Sequence, residues 1–428
     1  MRARREPNLS VVVSLGLGIC AVYLTAAYVV WFPLLHPGPH IVQVNDYLIE
    51  VTDTMHDLYD ARLGAFITSA PAYLGSIIVR APFAETAIAF NASWQIEYAA
   101  TMIPCLFAAP LLGSWLADRS EAGTPASRWL WRWLSPFGVL LAVNPVFYRA
   151  IAYGHPEDVV GGALCVAAVV LAAHRRDTLA AVFAGLAVVN KPWALVAVPV
   201  VLVLMRGLSR RALAAFLAPI AAVALPMVAA RLTSRYSFSG VGWTTGGRGS
   251  GFMPQQLWWW FGRHSWIASH AHPVILVVAC AVAAAWWLVR RHSLTDLCLE
   301  REGLLLLALV LLLRCALDPW DNTYYALPFL MAMYALEVNR WPVLSVLVTI
   351  PMVALFPYHP SAQRHDDLLA AAYELVAVVM IALLALRLYA PRAAWMRAYA
   401  SARRRVPAPG AAVRRTLATL TGARQATS

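Results

Sequence analysis

Apolar runs of about 20 residues recur along this chain, and runs of that length predict helices that cross a membrane. They fall at about 9–32, 94–117, 134–153, 212–230, 273–289, 303–317, 324–338, 342–358 and 368–388, with another following Gly154. Most are closed by arginines on one side and by Asp, Asn, His or Pro on the other. The run between Arg176 and Arg206 is too long for one span and too short for two, and Asn190-Lys191-Pro192 interrupts it. Splitting there leaves two helices of about 13 residues, each about 20 Å long, which predicts a short hairpin with a charged apex.

The segment 36–93 has a different pattern. Asp46, Glu50, Asp53, Asp57, Asp60 and Glu85 outnumber Arg62 and Arg80, and Pro71, Arg80, Pro82 and Glu85 break its apolar part. Helices lying on the membrane surface suit that pattern. The expected fold is therefore all-α: a polytopic membrane protein with about 12 crossings, the hairpin counted as two, and a helical first exterior loop. Residues 1–388 would form the membrane domain and 389–428 a basic, disordered tail.

Composition supports the membrane class, with 61% hydrophobic and only 13% charged residues. The net charge of +12 is carried by loop arginines, so it speaks for orientation and not for a nucleic-acid partner. Arg2, Arg4 and Arg5 at one end and the arginines from Arg387 onward at the other predict both termini in the cytoplasm of an inner or plasma membrane, with the tail drawn to anionic lipid. The opening Met1-Arg-Ala-Arg-Arg resembles a signal peptide, but the apolar run continues without a small-residue cleavage site, so an uncleaved first span is expected. Cysteines 20, 105, 165, 280, 298 and 315 show no CxxC or metal-ligand spacing, so neither disulfides nor zinc are expected.

This orientation places three polar groups on the exterior side: Asn45-Asp46 with Asp57 and Asp60, then His155-Glu157-Asp158, then Asp318-Asp321-Asn322. Lys191, the only lysine in the chain, points the same way, as does an acid-free loop with Arg231, Arg235, Arg248 and Arg263. Carboxylates suit general acid–base chemistry, and the cations suit a phosphate. Blander readings stand beside these. Glu50, Asp57 and Asp60 also fit solvated loop acids, and Glu157 and Asp158 also fit a helix N-terminal dipole. Asp318 and Asp321 beside Pro319 also fit a turn, and Lys191, Arg149 and Arg314 also fit snorkelling side chains.

The motifs resemble the GT-C superfamily of membrane glycosyltransferases, and within it glycosyltransferase family 87. Asp46, Leu58-Tyr59-Asp60 and Phe66–Pro71 match that family's first exterior loop, and Gly154–Asp158 stands where its fourth span opens. Gly185–Pro192 matches its Lys-Pro hairpin, and Pro319–Pro328 its later aromatic stretch. The resemblance implies transfer of a mannose-like hexose from a polyprenyl-phosphate donor to a lipid or cell-envelope glycan acceptor on the exterior face, with no further cofactor and metal use left open. It casts Asp46 as the base; taken with the shared exterior placement, His155 and Asp321 are expected beside it, and Lys191, Arg248 and Arg263 as holders of the donor phosphate. Tyr59, Glu157, Asp158, Trp320, Asn322 and Tyr325 would line the substrates. Asn322 stands where the family has histidine, and His155-Pro156 replaces a glutamine pattern. A transporter or flippase, or a partner protein without catalysis, is the alternative.

Overall fold

The computed structural model describes residues 46–71, 73–119, 144–205, 207–233, 266–290, 296–318, 323–338, 343–354 and 367–390. The first expected span, the loop with Arg248 and Arg263, the stretch with Trp320, Asp321 and Asn322, and the chain beyond residue 390 lie outside the described residues. The chain divides into two compact units, Met1–Leu384 and Ala385–Ser428.

Every regular element among the described residues is helical. A π-helical turn, Tyr47–Val51, leads into α1 (Thr52–Tyr59), followed by α2 (Leu63–Ser69), α3 (Leu74–Ala89), α4 (Trp94–Arg119), α5 (Pro145–Ala152) and α6 (Glu157–Ala173). The hairpin consists of α7 (Asp177–Asn190), a 3-10 turn at Pro192–Ala197, and α8 (Val198–Leu204). Then come α9 (Arg210–Thr233), α10 (Trp266–Arg290), α11 (Asp296–Leu317), a 3-10 turn at Thr323–Ala326, α12 (Leu327–Leu336), α13 (Val343–Ala354) and α14 (Asp367–Tyr389).

The expectation of an all-α fold holds. Four of these helices are long and apolar enough to cross a membrane, at Trp94–Gly113, Arg210–Ala229, Ala271–Arg290 and Ala371–Tyr389. The others are shorter or, like α11 with Glu300, Arg301 and Glu302, carry charge. The α9 window is only 6% buried, and Leu213, Leu217, Leu225 and Val228 stand on its surface, as a lipid-facing helix requires.

Helix α6 is the hub. It packs against α4, α7, α8, α11 and α12, and 15 of its 17 residues are buried, so it is apolar around nearly its whole circumference. Small residues let the neighbours come close. A Cβ at Gly162 would lie 2.6 Å from the Met331 sulfur, and one at Gly161 would lie 3.0 Å from the Trp193 ring.

Two local expectations change. The segment around Arg80 and Pro82 is one continuous helix, α3, and Arg80 is fully buried in it. Arg149 and Arg314 are buried too, at 2% and 4% exposure, so neither is a snorkelling side chain.

Candidate active site

Asp46, His155, Glu157, Asp158 and Lys191 come from three stretches of chain, and local geometry explains how each arrives. Helix α5 ends at Ala152 with Tyr153 as its C-cap, and Gly154 turns the chain with φ +94°, a left-handed conformation open to glycine. A Cβ there would meet the Tyr47 amide nitrogen at 2.6 Å, so only glycine lets the Asp46–Tyr47 backbone lie against this turn. The Asp46 amide donates to the Tyr153 carbonyl at 3.1 Å, which fixes the contact. His155 and Pro156 follow, and α6 begins with Glu157 and Asp158 in its first turn, where carboxylates complement the helix dipole. That reading and the functional one therefore describe the same two residues.

The hairpin breaks where its sequence says it should. A residue before proline is driven out of the helical region, and Lys191, ahead of Pro192, is extended at φ −156°, ψ 123°. This turns the lysine out of the helix line and onto the start of α6. Asn190 locks the junction by donating to the Glu157 carbonyl at 2.9 Å.

His155 bridges the acids. Its Nε2 lies 2.7 Å from Asp46 Oδ2 and its Nδ1 lies 2.8 Å from Glu157 Oε1. Burial lowers the imidazole's affinity for a proton and the Lys191 ammonium lowers it further, yet the Glu157 and Asp46 carboxylates outweigh both and raise its pKa to about 9. The ring is therefore an imidazolium at neutral pH, donating from both nitrogens. Lys191 Nζ donates to Glu157 Oε1 at 2.7 Å and to Asp158 Oδ2 at 3.2 Å. Nζ also lies 3.1 Å from His155 Nδ1, and the two nitrogens share the Glu157 oxygen. The second Glu157 oxygen accepts from Arg80 Nη1 at 3.3 Å, and Asp158 Oδ1 accepts from Trp193 Nε1 at 2.7 Å.

Exposure grades across this cluster. The Glu157 and Asp158 side chains are 0% and 1% exposed, His155 and Lys191 are 9% and 13%, and Asp46 is 41%. Asp46 is thus the carboxylate that faces outward and can meet a substrate. Asp57, on α1 and 16% exposed, and Asp60, 47% exposed, both pair with Arg62 at 3.0 Å.

Sequence reasoning missed Arg80, Tyr73 and Trp193. Arg80 reaches Thr101 at 3.3 Å and lies 5.3 Å above the Tyr47 ring, tying the residue next to Asp46 to Glu157. The Tyr47 hydroxyl in turn donates to Glu97. Tyr73 lies under Lys191, with Nζ 5.3 Å from the ring centre, and its hydroxyl donates to Glu50 at 2.6 Å. An arginine in an otherwise apolar helical run was the available signal for Arg80; nothing in the spacing marks the other two. The Tyr324 ring stacks 4.9 Å from His155, and Arg314 lies between Trp193 and Tyr325, at 4.9 and 4.4 Å from their ring centres. Tyr325 therefore joins the site indirectly. Tyr59 is 45% exposed on α1. Asp321, Trp320, Asn322, Arg248 and Arg263 lie outside the described residues.

The model of glycosyltransferase family 87 matches residues 74–317, more than half of the 428-residue chain. The chain belongs to glycosyltransferase family 87. Within this family 87 protein, the match spans Arg80, His155, Glu157, Asp158, Lys191 and Arg314, while Asp46 lies ahead of it. No curated protein and no solved structure matches significantly. Family and fold together make it a membrane glycosyltransferase.

Proposed function

We propose that this protein moves a mannose-like hexose from a polyprenyl-phosphate donor to a lipid or glycan acceptor at the outer face of the cell membrane. The observation that carries this reading is Asp46: an outward carboxylate bonded through His155 to a buried acid–lysine cluster. The acceptor hydroxyl oxygen attacks the anomeric carbon while the bond from that carbon to the phosphate oxygen breaks. Asp46 takes the hydroxyl proton, and the polyprenyl phosphate leaves with the bonding pair and one additional negative charge. His155, as imidazolium, steadies Asp46 before transfer and adds positive charge on the side where that charge develops.

Lys191, Arg248 and Arg263 hold the donor phosphate. Asp321 acts with Asp46 and His155 in catalysis. Tyr59, Trp320, Asn322 and Tyr325 hold the sugars and the lipid, and Glu157 and Asp158 anchor the cations they meet. Membrane lipids surround the site, and both termini face the cytoplasm.

Purified protein supplied with a polyprenyl-phosphate-mannose donor and lipid acceptors should yield a glycosylated product. Asp46→Asn should lower kcat by about 100-fold or more, as removal of a general base does. Uptake of the sugar lipid into vesicles with no product would replace this reading with transport. An Asp46→Asn form as active as the parent would remove the assigned base.

A further inference from the structure

Three side chains at this site offer what a metal ion needs. His155, Glu157 and Asp158 each present a ligand atom, and these atoms lie within 4.8 Å of one another. Their centre holds the Lys191 ammonium, whose nitrogen is 2.7 Å from Glu157 Oε1, 3.2 Å from Asp158 Oδ2 and 3.1 Å from His155 Nδ1. A hard divalent cation would sit among the same oxygen and nitrogen atoms at about 2.0–2.3 Å, drawing each inward by roughly 1 Å or less. The ammonium and a metal therefore exclude each other.

We propose that Lys191 is the permanent cation of this site, standing in the position a divalent ion would take and bridging the buried acids to the donor phosphate. The role as a bridge rests on the transferase reading above; the occupancy does not. An ammonium has three N–H groups in tetrahedral array. Two are committed to Glu157 and Asp158, and the third lies toward His155 Nδ1 at 3.1 Å. That third N–H, on a side chain 13% exposed, is the one available to an incoming phosphate oxygen. A metal ion acts in the same way in phosphate chemistry, binding protein acids on one side and substrate oxygens on the other. The hairpin supports a fixed occupant: Pro192 holds the Lys191 backbone extended, and the Tyr73 ring lies 5.3 Å from the ammonium.

The test uses Mn2+, whose free form has a distinct paramagnetic resonance signal. The full-length wild type in detergent should leave that signal unchanged. Lys191→Ala should deplete it, one ion for each chain, and adding Asp158→Asn to that variant should abolish the uptake. Wild-type protein that binds Mn2+, and loses it with Asp158→Asn, would overturn the proposal. So would a Lys191→Ala protein of wild-type helicity and elution that binds none. Should that variant fold only when Mn2+ is present, the metal is substituting for the lysine, as proposed. Should it not fold at all, the wild type alone decides. Its binding of polyprenyl phosphate should be the same in chelator and in Mn2+, and a requirement for metal would overturn the idea. Wild type that binds no polyprenyl phosphate under either condition would overturn the transferase reading and the bridging role, while the Mn2+ signal still judges the occupancy.

Discussion

Replacing Glu157 by glutamine keeps the side chain's shape and removes the charge on which three cations converge. The carboxylate is 0% exposed and faces Lys191 at 2.7 Å, His155 at 2.8 Å and Arg80 at 3.3 Å. Breaking a buried ion pair by neutralising one partner costs about 3–5 kcal/mol. Part of that cost is relieved, because Asp158 still holds Lys191, Asp46 still holds His155, and His155 can release its proton. The proton equilibrium gives the effect a pH signature. His155 goes from its ordinary 6.5 to about 9 on folding, a difference of 9 − 6.5 = 2.5, or about 3 kcal/mol. Because the folded value is the raised one, this stabilisation is complete below pH 6.5 and is lost as pH climbs through about 9. Wild-type unfolding midpoints in detergent should therefore fall across that window. Glu157→Gln should melt lower than wild type at the acidic end and show a flatter profile, so that the two curves converge toward alkaline pH. Parallel curves, or equal midpoints throughout, would refute the claim that Glu157 keeps the imidazole charged.

Further outcomes follow from single contacts. Gly154→Ala places a Cβ 2.6 Å from the Tyr47 nitrogen at φ +94°, so it should cost about 1–3 kcal/mol in thermal unfolding and lower kcat by displacing Asp46. Pro192→Ala should let α7 run on through Lys191. The lysine side chain is unique in this sequence, so mass spectrometry after treatment with an amine-directed reagent should show faster modification of residue 191 than in wild type. Asn144 caps α5 by accepting from the Val146 amide at 2.9 Å and donates to Thr349 at 3.2 Å; Asn144→Ala should lower stability by about 1–2 kcal/mol by chemical denaturation.

What the sequence disclosed and what it withheld divides along physical lines. The hairpin break was legible because it is a property of adjacent residues: the Lys191–Pro192 pair and run lengths around it set the backbone locally. The start of α6 was legible for the same reason, with Glu157 and Asp158 just after Pro156. Run length alone does not separate lipid-facing helices such as α9 from protein-buried ones such as α6, because both are apolar. The burial of Arg80 was hidden as well. Whether an arginine in an apolar run meets water or a carboxylate depends on a partner 77 positions away, which no local pattern encodes. Asp46 was singled out by its loop and by family likeness, but its attachment to His155 depends on Gly154, whose role is visible only once the two backbones touch.

The sharing of one carboxylate by Arg80, His155 and Lys191 also bears on how the chain is made. Ribosomes deliver Glu157 and Asp158 ahead of the lysine that meets them 34 and 33 residues later. At about 5–20 residues per second that interval is about 2–7 seconds. Throughout it the nascent polypeptide has Arg80 but lacks its second fixed countercharge. The leading end of α6 therefore gains its full set of countercharges only once the hairpin has been synthesised.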